Sequence, residues 1–242
     1  MLNESFNRLV VFDIETVSEY ESYQQLLSEN PKKAELWSKR CVWLRSRYVE
    51  NAKLDDDSLY LAKASLQPEF SKIVCISIGQ IKNAGASITI KSYSGEERDI
   101  LSEFIRVNAA VMSKIPGAQY CGHNIKRFDV PFIAKRILIN GLKLPQNFQV
   151  FRMKSWELPF LDTSEIWSFG AWQESYTSLD LLSNVLNVHT PKDEMCGSEV
   201  GKSYYSGKIN NIIEYCEKDV IAVCQILLRL SNIEIDADIQ RR

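Results

Sequence analysis

The chain lacks a long apolar run, a paired-cysteine motif, an excess of charge of either sign, an internal repeat and a low-complexity tract. Without an apolar stretch of membrane-spanning length, no transmembrane helix is expected. The N-terminal MLNESFNRLVVFD also lacks a charged region followed by a long apolar one, so a secretory signal is not expected and the reading is a cytoplasmic protein. Six cysteines (Cys41, Cys75, Cys121, Cys196, Cys216, Cys224) form no C-x-x-C pair and no compact framework. Several lie in apolar runs, where a reduced thiol behaves as a small hydrophobe. Formal net charge is −2, so no global basic field advertises nucleic acid or an acidic membrane. A nucleic-acid enzyme is still allowed, because a site of carboxylates and metal ions binds phosphate through the metal.

What is present is ordinary globular material: 242 residues, 45% hydrophobic and 25% charged. The stretch RLVVFDIETVS predicts a central strand that ends in two acids, Asp13 and Glu15. SKIVCISIGQI (71–81) and ASITIKSYS (86–94) predict two more strands joined by a hairpin at NAG. EERDILSEFIRVNAAVM predicts an amphipathic helix, and AQYCGHN a short strand running into a loop. DVPFIAKRILING predicts a helix closed by Gly141, and SLDLLSNVLNV a short one capped by Ser178. Residues 145–175 are less regular, with LPFLD a further strand candidate. KINNIIEYCEKDVIAVCQILLRL predicts a long amphipathic helix. Strands first, then helices alternating with short strands, predict an α/β domain with a mixed sheet. Residues 1–242 read as one domain, with a helical insertion over about 19–68 in which Leu36, Trp37, Trp43, Leu44 and Tyr48 recur at helical spacing.

Three short segments carry chemistry. Residues two apart on a strand share a face, so Asp13 and Glu15 can reach one site. Taken alone, the pair also fits two acids past a strand end, in solvent. In GHNIKRFDVPFIAKR, Asn124 and Asp129 bracket a strand-to-helix turn; Asp129 suits a helix N-cap, and capping leaves one carboxylate oxygen for a metal. Lys126, Arg127, Lys135 and Arg136 form a basic cluster there, either functional or merely solvated. In YCEKD, Asp219 lies on or beside the apolar stripe of the last helix, with Tyr215 one turn earlier. An acid facing inward breaks the binary pattern, as functional sites do; an acid at the stripe's edge, paired with lysine, fits equally well.

Jointly, FDIET, N-x3-FD (Asn124 to Asp129) and Y-x3-D (Tyr215 to Asp219) resemble the DEDD 3′-5′ exonucleases of the tyrosine branch. In particular they resemble the stand-alone predicted 3′-5′ exonucleases related to the proofreading domain of family-B DNA polymerases. The resemblance runs from about residue 8 to 230. It implies a ribonuclease-H-like α/β fold, a mixed sheet flanked by helices, with Asp13, Glu15, Asp129 and Asp219 as metal ligands. The histidine branch needs His five residues before the last Asp, and position 214 is Glu. Neither His123 nor His189 stands at that spacing.

The resemblance implies two Mg²⁺ ions, replaceable by Mn²⁺, held by carboxylates about 3.5–4 Å apart. One activates water and the other stabilises the leaving 3′-oxygen, so nucleoside 5′-monophosphates leave the 3′ end of single-stranded DNA. Tyr215 would orient the water, and Glu15 would contact the terminal 3′-hydroxyl. Phe12, Ile14 and Phe128 are candidates to wedge against the terminal base, or plain core. Asn124 is a loop-fixing and substrate-binding candidate, and Lys192 and Lys202 are phosphate-contact candidates on what also reads as solvated surface. An exoribonuclease is the alternative within the class. A nucleic-acid-binding or polymerase-partner module with idle chemistry is the alternative of another class. No membrane partner is expected, and oligomeric state has no signature in the sequence.

GSEVGKS (197–203) imitates a phosphate-binding P-loop, but three residues separate its glycines where four are required, and no buried strand precedes it. Trp37, Trp43 and Tyr48 of the insertion could stack unpaired bases; packing against their own domain is the favoured reading.

Overall fold

The computed structural model describes residues 6–171, 176–188 and 195–242. Strand β1 (Leu9–Ser18) is buried on both faces along most of its length, which its run of β-branched and aromatic residues requires. It pairs antiparallel with β2 (Ser71–Lys82), which pairs antiparallel with β3 (Ser87–Ser94). The expected hairpin at NAG is present, with φ of 52°, 54° and 108° at Asn83, Ala84 and Gly85. Strand β4 (Gln119–Gly122) lies parallel to β1, and β5 (Leu161–Asp162) parallel to β4. A sixth strand, β6 (Asp238–Arg241), adds parallel to β3, giving the order β5-β4-β1-β2-β3-β6. Three antiparallel strands followed by two parallel ones make the mixed, ribonuclease-H-like sheet that the resemblance implied.

Helices cover both faces. Val10, Phe12 and Ile14 point to one side, against α4 (Glu97–Lys114) and α5 (Asp129–Ile139). Phe12 is core, 1% exposed and edge-on to Tyr120 at 5.5 Å, so it is no base wedge. Leu9 and Val11 point to the other side, against α9 (Ile209–Leu230). A Cβ on Gly79 would stand 2.5 Å from Val220 Cγ1, so glycine there lets α9 lie close on the sheet. Gly141 closes α5 with φ 66°, and Ser178 caps α7 (Leu179–Val185), both as expected. No described helix is long and apolar enough to cross a membrane.

Between β1 and β2 run α1 (Tyr23–Glu29), α2 (Pro31–Arg47) and α3 (Asp56–Lys63), packed around their own apolar cluster. Trp37 is wholly buried in it, edge-on to Tyr60 at 5.3 Å and Phe70 at 5.0 Å. The buried stripe of α2 is Ala34, Trp37, Cys41 and Leu44. Leu36, Trp43 and Tyr48 lie off that stripe and are exposed, which corrects the grouping read from sequence.

Two further readings change. The first strand does not end at its acids: β1 continues to Ser18, with a bulge between Glu15 and Thr16. Arg136 is no solvated cation; it is buried and holds Glu97 through Nε at 2.8 Å and NH2 at 2.5 Å, with NH1 donating to the Pro68 carbonyl. The short helices α6 (Thr163–Trp167) and α8 (Val200–Tyr205) and the edge strand β6 had no sequence expectation.

Candidate active site

Parallel pairing of β4 with β1 covers only Leu9 to Val11. Among the described residues, no strand pairs with β1 on this side beyond that point, and the carboxyl ends of the parallel strands open onto a cavity of about 230 Å³. Gly122 ends β4 here. A Cβ on it would lie 2.9 Å from the Phe12 carbonyl and 2.2 Å from Ile125 Cγ2, so only glycine allows this approach.

Asp13 and Glu15 share the face of β1 that meets α9, as strand alternation demands. Tyr215 and Asp219, one turn apart on α9, reach the same cavity. Asp129 arrives from the first turn of α5. It is not the N-cap, a position taken by Phe128, and its Oδ1 accepts the Ile14 N–H at 3.3 Å, a donor β4 leaves free. Ile14, Asn124 and Phe128 also line the cavity. Every site residue read from sequence therefore converges, except Lys192, which lies outside the described residues. Lys202 borders a neighbouring cavity that shares Tyr215.

Electrostatically the site is unbalanced. Burial first, then the charge of Asp219, Asp129 and Glu15, pushes the Asp13 carboxyl well above its ordinary range. Burial and Asp219 do the same to Glu15. Burial raises Asp129 from 3.8 to about 7, despite its hydrogen bond from Ile14. Among the described residues, no lysine or arginine pairs with any of these three. A divalent cation would reverse this logic, since carboxylates that repel one another become its ligands. The donor set fits a hard ion: Asp13 and Glu15 offer oxygens within 4.8 Å of each other and of Cys216 Sγ. Cys216 itself is no thiolate ligand. Burial pushes its thiol up, and it stays protonated, donating to Asp13 Oδ2 at 3.5 Å. Burial and the negative field of Asp219, Glu15 and Asp13 raise the Tyr215 hydroxyl far above its usual range, so it is held as a donor.

Sequence reasoning missed the supports. Asp162, at the end of β5, is 3% exposed, and its carboxylate accepts the N–H groups of Asn124 (2.8 Å), Lys126 (3.1 Å) and Ser164 (3.0 Å). It thereby fixes the 124–129 loop, in which Asn124 holds φ 60°. The LPFLD motif announced a strand, but nothing local marked its aspartate. His123 lines the cavity with its Nε2 donating to the Thr177 carbonyl at 2.8 Å, and burial keeps its ring neutral. GSEVGKS forms a short 3₁₀ turn and α8, with no P-loop.

Residues 63–241 match a family described as "Predicted 3'-5' exonuclease related to the exonuclease domain of PolB". That span takes in Asp129, Tyr215 and Asp219 and begins after Asp13 and Glu15. Among solved structures, the family B DNA polymerase from the hyperthermophilic archaeon Pyrobaculum calidifontis is similar, with a TM-score of 0.54 at 14% identity. The similarity covers 93% of this chain and 24% of the polymerase, and at that identity it speaks for the fold. No curated protein matches. With most of its length inside the family match, the chain belongs to the predicted 3′-5′ exonucleases related to the exonuclease domain of PolB.

Proposed function

We propose that this chain is a metal-dependent exonuclease that shortens single-stranded DNA stepwise from the 3′ end, releasing nucleoside 5′-monophosphates. One observation carries the reading: four carboxylates from three distant segments, with Tyr215, line a single cavity at the carboxyl end of the parallel strands. Asp13, Glu15, Asp129 and Asp219 would hold two Mg²⁺ ions, with Mn²⁺ able to substitute; bound there, the ions supply an activated water and neutralise charge at the scissile phosphate.

The chain's own residues do the rest. Tyr215, held protonated by its negative surroundings, orients the attacking water by donating or sharing its hydroxyl hydrogen bond. It does not act as the base. Glu15, which lines the same cavity, would contact the terminal 3′-hydroxyl. Phe128, which is half-buried, would give the terminal base apolar surface, Ile14 lines the cavity from the core side of β1, and Asn124 shapes the loop beside it.

The test is a digestion of matched DNA and RNA strands labelled at the 5′ end. With Mg²⁺ or Mn²⁺ the label should move down a ladder one nucleotide at a time, stop under EDTA, and stay put with Asp13→Ala. Intact strands with the wild-type chain and both metals would overturn the reading.

A further inference from the structure

Beside the carboxylate cavity lies a second, larger hollow of about 740 Å³, between α2 and the start of α5. The two share one wall, the 124–129 loop, and Phe128 lines both. The carboxylate cavity, at about 230 Å³, is smaller than the ~300–1,000 Å³ of ordinary small-molecule pockets. A polymer whose end enters it must lay the rest of its chain elsewhere.

We infer that this groove is the track for single-stranded DNA upstream of the scissile bond, with Trp43 as the stacking platform for a base. The inference rests on the exonuclease reading above and names where its substrate lies. Trp43 is 44% exposed on the side of α2 away from that helix's own core, whereas Trp37 is wholly buried. An exposed indole at a groove is a surface on which any base can stack. Arg40 stands over it, its guanidinium carbon 4.0 Å from the ring centroid.

Charge complements a phosphate backbone. Arg40 donates to the neutral amide oxygen of Gln67, at 2.9 Å and 2.5 Å, and among the described residues it meets no carboxylate. Arg127 is exposed on the shared loop. Lys39 and Lys135 complete the lining. Their partners, Glu35 at 2.6 Å and Glu69 at 3.5 Å, make pairs more than half exposed. Such pairs are worth little, so the lysines can exchange them for phosphate oxygens. Aromatic surface, local cations and continuity with the carboxylates through Phe128 together favour a nucleic-acid strand over a peptide in this groove.

The test is fluorescence anisotropy with a 5′-labelled oligothymidylate about twelve nucleotides long, in EDTA so that no hydrolysis intervenes. Trp43→Ala should bind about tenfold more weakly, in line with one lost stacked base, while Trp43→Phe keeps most of the affinity. Arg40→Ala should bind more weakly and lower the slope of log affinity against log salt by about one. Unchanged binding in all three variants, or no binding by the wild type, overturns the groove. Preference for an oligouridylate of equal length, with the same variant pattern, overturns its assignment to DNA. A wild type that binds through Trp43 but never shortens the strand with Mg²⁺ or Mn²⁺ sinks the exonuclease reading and leaves the groove standing. One that digests strands with Trp43 irrelevant to binding does the reverse.

Discussion

Asp129→Asn should make the metal-free protein more stable and the enzyme dead. The wild-type carboxyl rises from an ordinary 3.8 to about 7 in the folded chain, chiefly through burial. A raised carboxyl contributes stability that is fully present below its unfolded value and lost as pH climbs through its folded value. For Asp129 that window runs from 3.8 to about 7. Above it, ionisation in the folded state costs about 4 kcal/mol relative to the unfolded chain. At pH 5, where the folded group is still protonated, the cost falls to about 2 kcal/mol. Asparagine keeps the shape and the acceptor for Ile14 N–H and carries no charge. Chains of this size melt about 2–4 °C higher per kcal/mol. Thermal unfolding in EDTA at pH 8 should therefore show Asp129→Asn melting higher, by up to about 8–16 °C, with the advantage shrinking at pH 5. Adding Mg²⁺ should raise the wild-type melting temperature through ligand linkage, and leave the variant much less moved. A variant that melts below the wild type at pH 8 in EDTA, or that Mg²⁺ stabilises equally, would refute the claim that this carboxylate is held against its own preference for a cation.

Three other outcomes follow from the same contacts. Tyr215→Phe should slow hydrolysis by roughly a hundredfold while calorimetry finds its Mn²⁺ affinity close to wild type; metal loss equal to that of Asp219→Ala would contradict its role as a donor to water. Asp162→Ala frees the N–H groups of Asn124 and Lys126 and lets the loop shift, so kcat/KM should drop by about a hundredfold, an effect ångström-scale misplacement can cause; unchanged kinetics would remove Asp162 from the positioning scheme. Glu97→Ala strands the buried Arg136 guanidinium, and chemical denaturation should record a loss of about 3–5 kcal/mol, with a loss under about 1 kcal/mol counting against the pair's weight.

The carboxyl groups that matter most were legible because each sits in a local pattern that ordinary folding does not favour. Acids inside the β1 run and Asp219 on the apolar stripe of α9 violate burial rules, and the geometry explains the violation: they meet each other. Asp162 violated nothing visible. Its strand is two residues long, and the three N–H groups it satisfies include two on the loop nearly forty positions earlier. No window along the chain contains that interaction. The edge strand β6 was silent for a related reason: its pairing depends on β3 being there to extend, and its own sequence is polar.

The two tryptophans of α2 make the sharper case. Trp37 and Trp43 are six residues apart, about a third of a turn short of two full turns, so the helix carries one inward and the other off the buried stripe. A reader of spacing alone groups them, because both recur near a helical period. What separates them is which face finds the neighbouring helices, and that is set by α1 and α3, through Tyr23, Leu26 and Tyr60. The inward indole has an account: its Nε1 donates to the Asp56 carbonyl at 3.0 Å and its ring is enclosed. The outward one faces water beside Arg40 of its own helix and Arg127 on the loop that leads into Asp129. A single exposed indole is unremarkable on a protein surface. This one lines the groove that shares Phe128 with the carboxylate cavity, and stacking with phosphate neutralisation is the use inferred for it there.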